Sequence, residues 1–78
     1  MKYPSKQEML QIIGKNVQKN RVAKGLSQVE LCFHAGLDIS TLSRIEGGKT
    51  KSSFETYYKI TEILDLPMYK LFMPDDLQ

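Results

Sequence analysis

The chain has 78 residues, 41% of them apolar and 26% charged, which is enough for one domain with a modest core and too few for a second, ligand-sensing domain. Its single cysteine, Cys32, excludes an internal disulfide. No apolar run approaches the ~20 residues that cross a bilayer, and no basic-apolar leader is present, so a reducing cytoplasm is the expected compartment. The net charge of +2 conceals a polarity: residues 1–51 carry nine Lys/Arg against four Asp/Glu, net +5, and residues 52–78 carry two against five, net −3. The front end suits an anionic surface and the rear end is repelled by one.

Helix starts are well marked. Ser5-Lys6-Gln7-Glu8 has the spacing of a capping box, and Met9, Ile13 and Val17, with Leu10 beside them, recur at helical spacing until Gly25. This predicts a first helix over 6–24, whose segment 5–12 is an N-terminal extension. Ser27-Gln28-Val29-Glu30 repeats the capping signal, and Leu31 and Ala35 precede Gly36, which predicts a short second helix. Asp38 is the expected cap of a third, two-turn helix in which Leu42 and Ile45 face inward before Gly47-Gly48. Two short helices joined by a Gly-containing turn make a helix-turn-helix. Ser52-Ser53-Phe54-Glu55 is expected to be a third capping box, followed by Phe54, Tyr57, Ile60, Ile63 and Leu64 at helical spacing up to Leu66. Pro67 is placed to open a last short helix containing Leu71 and Phe72. The expectation is an all-α, compact five-helix bundle in one domain over 1–78, with frayed ends at 1–4 and 74–78.

The ordered matches run from Ile13-Gly14, Val17 and Arg21 through Gly25-Leu26-Ser27-Gln28-Val29-Glu30-Leu31 and Ala35-Gly36-Leu37 to Ser40-Thr41-Leu42-Ser43-Arg44-Ile45-Glu46-Gly47-Gly48-Lys49-Thr50. They continue through Phe54-Glu55-Thr56, Ile60, Leu64 and Leu71-Phe72. Over about 13–72 the chain therefore resembles the lambda-repressor/Cro-like, or XRE, family of DNA-binding proteins, whose short members include phage repressors, restriction-modification controller proteins and antitoxins. The resemblance implies a bacterial or phage-encoded, nucleoid-associated transcriptional regulator of double-stranded DNA, with the third helix as recognition helix.

Independent geometry agrees. With Leu42 and Ile45 inward, a rotation of about 100° per residue turns Ser40, Ser43, Arg44 and Gly47 outward, with Ile39 and Thr41 at the flanks. That face is small, polar and cationic, as a major groove about 12 Å wide requires. Arg44 is the main candidate for base readout, as a bidentate donor to guanine; Ser40 and Thr41 are permissive partners, and Ile39 can rest on a thymine methyl. Phosphate contacts are assigned to Gln28 at the second helix's start, to Ser43, and to Lys49, Thr50 and Lys51 after the recognition helix. The resemblance also implies an ion pair, Arg21 with Glu46, that aligns the first helix with the end of the third.

Some positions depart from the family pattern. Ile39 is apolar where relatives are polar, Asp65 replaces a small residue, and Tyr57-Tyr58 replaces an aliphatic pair. Val29 and Phe33 form an apolar stripe on the second helix, expected to be covered by the N-terminal segment through Tyr3, Met9 or Leu10 and otherwise open to a partner protein. A two-turn recognition helix reads few base pairs, so a homodimer on a palindromic operator is expected, with Leu66, Met68, Tyr69, Phe72 and Met73 as its interface or, in the alternative, as a cap on the core. No enzyme, metal site or cofactor is expected: His34 and Cys32 point apart on a helix, and Gly47-Gly48-Lys49-Thr50 lacks the leading glycine and preceding strand of a nucleotide-binding loop. The competing functions are an antitoxin that binds DNA and a toxin, and a protein-interaction module that has lost DNA binding.

Overall fold

A computed structural model describes residues 3–77. In it α1 spans Lys6–Ala23, α2 Gln28–Ala35, α3 Ile39–Glu46 and α4 Phe54–Leu64, and two 3₁₀ turns follow at Met68–Phe72 and Asp75–Leu77. No strand occurs among the described residues. The expected fifth helix is therefore corrected to a 3₁₀ segment, which leaves four α-helices. Two prolines explain it. Pro67 precedes the segment in an extended conformation, and Pro74 holds Met73 at ψ 128°, so too few residues lie between them to establish i→i+4 bonding.

Local signals govern the other boundaries. Ser5 and Ser27 each accept the amide three residues on while Glu8 and Glu30 accept the serine amides in return, at 2.8 to 3.1 Å. The expected third box does not form: Ser53, not Ser52, caps α4 by accepting from Thr56 N at 3.2 Å, and with a threonine at the third helical position no carboxylate returns to the cap. Asp38 occupies the cap position of α3 without a side-chain hydrogen bond. α4 stops at Leu64 instead of Leu66 because Asp65 takes a left-handed conformation, φ 54°, the geometry for which most chains use glycine. The C-terminal stretch is also more ordered than expected, since Asp75–Leu77 forms a turn and Lys19 pairs with Asp75; of the remaining expected frayed residues, 1, 2 and 78 lie outside the described residues.

The core is built from Ile13 and Val17 of α1, Leu31 and Cys32 of α2, Leu42 and Ile45 of α3, Tyr57, Ile60 and Leu64 of α4, and Leu71. α1 packs on α3 and on Met68–Phe72, while α2 bridges α3 and α4. α3, at eight residues, is too short to persist alone. Burial of Leu42 and Ile45 contributes about 1.5–3 kcal/mol each, and this fixes which side of α3 remains in water.

Two residues absent from the sequence-based site assignments hold this frame. A Cβ on Gly14 would sit 2.7 Å from the carbonyl oxygen of Glu46 and closer still to that of Ile45, so α1 and α3 approach backbone to backbone. Asn16 is buried, and its amide donates to the carbonyls of Leu71 and Met73 at 2.8 Å and of Lys70 at 3.2 Å. A mid-helix glycine, which weakens a helix by about 1 kcal/mol, and an asparagine on the Ile13–Val17 face were the available signals.

Candidate nucleic-acid interface

Leu42 and Ile45 anchor α3, and the structure turns Ile39, Ser40, Ser43 and Arg44 to solvent, with Thr41 half-buried. The outward face is thus the one that helical rotation predicts. It is uncharged except for Arg44, and Ile39 remains 47% exposed, an apolar edge beside the polar centre. The helix ends through bonds from Gly47, Gly48 and Lys49 amides back to Ser43, Ile45 and Arg44 carbonyls at 3.0 Å. Gly48, at φ 69°, makes the left-handed turn.

The expected ion pair is present and lies inside a larger network. Arg21 Nε donates to Glu46 Oε2 at 2.7 Å and Nη2 to Oε1 at 3.1 Å, while Nη1 donates to Leu26 O at 2.7 Å. Glu46 raises the Arg21 pKa further, so the guanidinium stays charged. Gln28 Nε2 also donates to Glu46 Oε1, at 3.0 Å. The same carboxylate therefore connects α1, α2 and α3, and Gln28, assigned to phosphate, has one amide hydrogen engaged within the protein. Its amide retains a second hydrogen for an outside acceptor.

Lys49 and Lys51 are exposed and Thr50 is half-buried on the loop that leaves α3, so these cations follow directly on the outward face of α3. Sequence inspection missed what shapes that loop. Gln7 Nε2 donates to Gly48 O at 3.1 Å, and Ser52 N donates to the hydroxyl of Tyr57 at 3.1 Å. The aromatic departure at 57 thus has a purpose: a buried ring, edge-on to Phe72 at 6.0 Å between centroids, with a polar tip at the loop.

The C-terminal group divides. Leu66 and Met68 are half-buried against the core, Met73 is half-buried beside the Asn16 clamp, Phe72 leans on Tyr57, and Tyr69 is 63% exposed. Tyr58, Thr61, Glu62, Asp65, Leu66, Pro67 and Met68 line a shallow groove. Phe54 and Tyr58, stacked at 6.1 Å, remain exposed beside it. The stripe on α2 is not covered by the N-terminal segment: Val29 is 59% and Phe33 81% exposed, because α1 packs across α3 and leaves the outer side of α2 open. Cys32 is buried with its thiol against Asp38 O at 3.5 Å, and burial pushes its pKa up, which makes it a poor nucleophile. Among the described residues no group of three or more His, Cys, Asp or Glu is arranged to hold a metal ion, and no helix is long and apolar enough to cross a membrane.

A short helix held by its inner face behind a second helix, with polar groups and one arginine outward, defines a helix-turn-helix domain. Residues 17–71 match the helix-turn-helix family HTH_3, and the chain belongs to that family, one of DNA-binding transcription regulators. It is 30% identical over 71 residues to a hypothetical transcription factor of Neisseria meningitidis serogroup B, covering 91% of this chain and 67% of that protein. A crystal structure of the hypothetical transcription factor NHTF from Neisseria superposes with a TM-score of 0.85 at 27% identity, over 99% of this chain and 88% of the other. The restriction-modification controller protein C.AhdI from Aeromonas hydrophila superposes with a TM-score of 0.77 at 36% identity, over 81% and 96% of the two chains.

Proposed function

We propose that the chain is a sequence-specific regulator that binds a palindromic DNA operator as a homodimer and reads each half-site with α3. The observation that carries this reading is the outward face Ile39-Ser40-Ser43-Arg44 on a helix whose other side is fully buried. Arg44 reads guanine, with Ile39, Ser40 and Thr41 as flanking base contacts, while Gln28, Ser43, Lys49, Thr50 and Lys51 meet phosphate. The groove beside Tyr58, Leu66 and Met68, with exposed Tyr69, supports a dimer surface at the acidic end, away from the anionic ligand. The likeness to C.AhdI favours the restriction-modification controller type.

Selection of bound fragments from random duplex DNA tests the proposal. The expected product is a two-fold symmetric site with half-sites about 34 Å apart, bound by a species of twice the monomer mass. Arg44→Ala is expected to weaken binding by about 1–3 kcal/mol and to relax preference at one base pair per half-site. Undiminished binding by that variant would remove α3 from base readout. The exposed Val29–Phe33 stripe favours one second reading, an antitoxin whose α2 also masks a toxin; co-purification with the product of a neighbouring gene, abolished by Phe33→Ser, is its expected signature.

A further inference from the structure

Lys49, Thr50 and Lys51 lie on a stretch without secondary structure, whose internal side-chain bond, Thr50 Oγ1 to Lys51 O at 3.1 Å, is purely local. Its order comes from its two ends. Upstream, Gln7 Nε2 donates to Gly48 O at 3.1 Å across 41 positions of sequence. That oxygen shares a rigid peptide plane with the Lys49 N–H, which donates to Arg44 O at 3.0 Å, so the two bonds together set the direction in which the chain departs toward Lys49. The same peptide is pressed from behind: a Cβ on Gly48 would lie 3.0 Å from Gln11 Cγ and 3.2 Å from Gln11 Cα. Gln7, Gln11 and Gly14 follow one another at helical spacing, so a single face of α1 runs along the end of α3 and its exit. Downstream, Ser52 N is held by the Tyr57 hydroxyl at 3.1 Å, and the ring of Tyr57 is locked in the core.

We propose that Gln7 and Tyr57 are positioning residues that fix both ends of the Lys49–Lys51 loop, so that its two lysines spring from a backbone already in place for the DNA phosphates. The N-terminal extension of α1 is then part of the binding apparatus without contacting DNA. An ordered loop avoids the conformational entropy that a mobile one loses on binding. This inference rests on the DNA-binding reading above.

The test uses the full chain with Gln7→Met, which keeps the side chain's length and removes its donor, and Tyr57→Phe, which keeps the buried ring. Each variant is expected to bind the selected operator about three- to tenfold more weakly with unchanged base preference. In a Lys49→Ala/Lys51→Ala background the same changes are expected to have less than about a twofold further effect, the non-additivity of groups that act through one another. In the free protein, exchange of the Lys49 amide, bonded to Arg44 O, accelerates in Gln7→Met and that of the Ser52 amide accelerates in Tyr57→Phe, while amides of α1 and α4 keep wild-type protection.

Full-strength binding by both variants overturns the inference. So does an additive loss in the lysine-free background, which would make Gln7 a direct contact. If the wild type binds duplex but the lysine-free variant binds equally well, the inference falls together with the phosphate roles of Lys49 and Lys51, while base readout by α3 stands. A wild type without duplex affinity at low salt removes both, even where loop exchange responds.

Discussion

α2 and α3 have the same length, eight residues each, and opposite foundations. α2 carries its own start and stop: a complete capping box at Ser27 and Glu30, and Gly36 at φ 68° behind it. α3 has an uncapped start at Asp38 and is held from outside, by Leu42 and Ile45 in the core, by the backbone of α1 at Gly14, and by Arg21 on Glu46. The outward side chains of α3 are thus uncommitted to holding it in place. Its surface can therefore change in sequence while its support stays constant.

Four perturbations test that contrast. The largest effect is expected from Gly14→Ala, since the added methyl meets backbone carbonyls that cannot rotate away. A loss of about 3 kcal/mol, the upper range for overpacking, lowers Tm by roughly 12–24 °C in a domain of this size. Arg21→Ala comes next: it leaves the Glu46 carboxylate, whose side chain is 4% exposed, without its guanidinium. Loss of one partner from a buried pair is severe, and the Gln28 amide that still donates to Glu46 moderates it to about 2 kcal/mol, readable in urea unfolding. An Arg21→Ala protein with wild-type stability would mean that α3 is anchored by apolar packing alone.

The caps provide the third test. Ser27→Ala is expected to lower stability by about 1 kcal/mol, whereas Asp38→Ala, which removes no cap bond, changes it by less than about 0.5 kcal/mol. Equal effects from the two would erase the distinction between the helices. The smallest effect is on pH. The Ser27 amide and hydroxyl hold the Glu30 carboxyl below its ordinary range, as those of Ser5 do for Glu8. A carboxyl with a depressed folded pKa stabilises above its unfolded value, about 4.3, and that contribution disappears as pH falls through the folded value. Protection of the Glu30 amide, taken relative to the intrinsic exchange rate at each pH, is therefore expected to fall below about pH 4 before that of Leu42 does.

What was legible in the sequence was what is decided over three or four residues. The boxes at Ser5 and Ser27, the inward pair Leu42 and Ile45, and the outward set Ser40, Ser43 and Arg44 follow from local spacing. The shift of the α4 cap from Ser52 to Ser53 is a choice between adjacent identical residues, which only packing makes. The last helix was misjudged because Leu71 and Phe72 fit helical spacing while the prolines at 67 and 74 limit its length. Gln7, Gly14 and Asn16 act on positions 41, 32 and 55 residues away, and no periodicity encodes such partners. The Arg21–Glu46 pair was accessible only through the family resemblance, and Val29–Phe33 was misjudged because its proposed cover depended on where α1 crosses.

The clamp at Asn16 has a consequence for biosynthesis. It ties the middle of the first helix to the carbonyls of Lys70, Leu71 and Met73, contacts of high sequence separation that form late. A nascent chain whose first four helices have left the ribosome still lacks the stopper Leu71, which is fully buried in the finished domain, and still has an amide seeking acceptors at its centre. Completion of the domain waits for the chain to emerge as far as Met73, so translation products that stop short of it lack the closure that joins α1 to the end of the bundle.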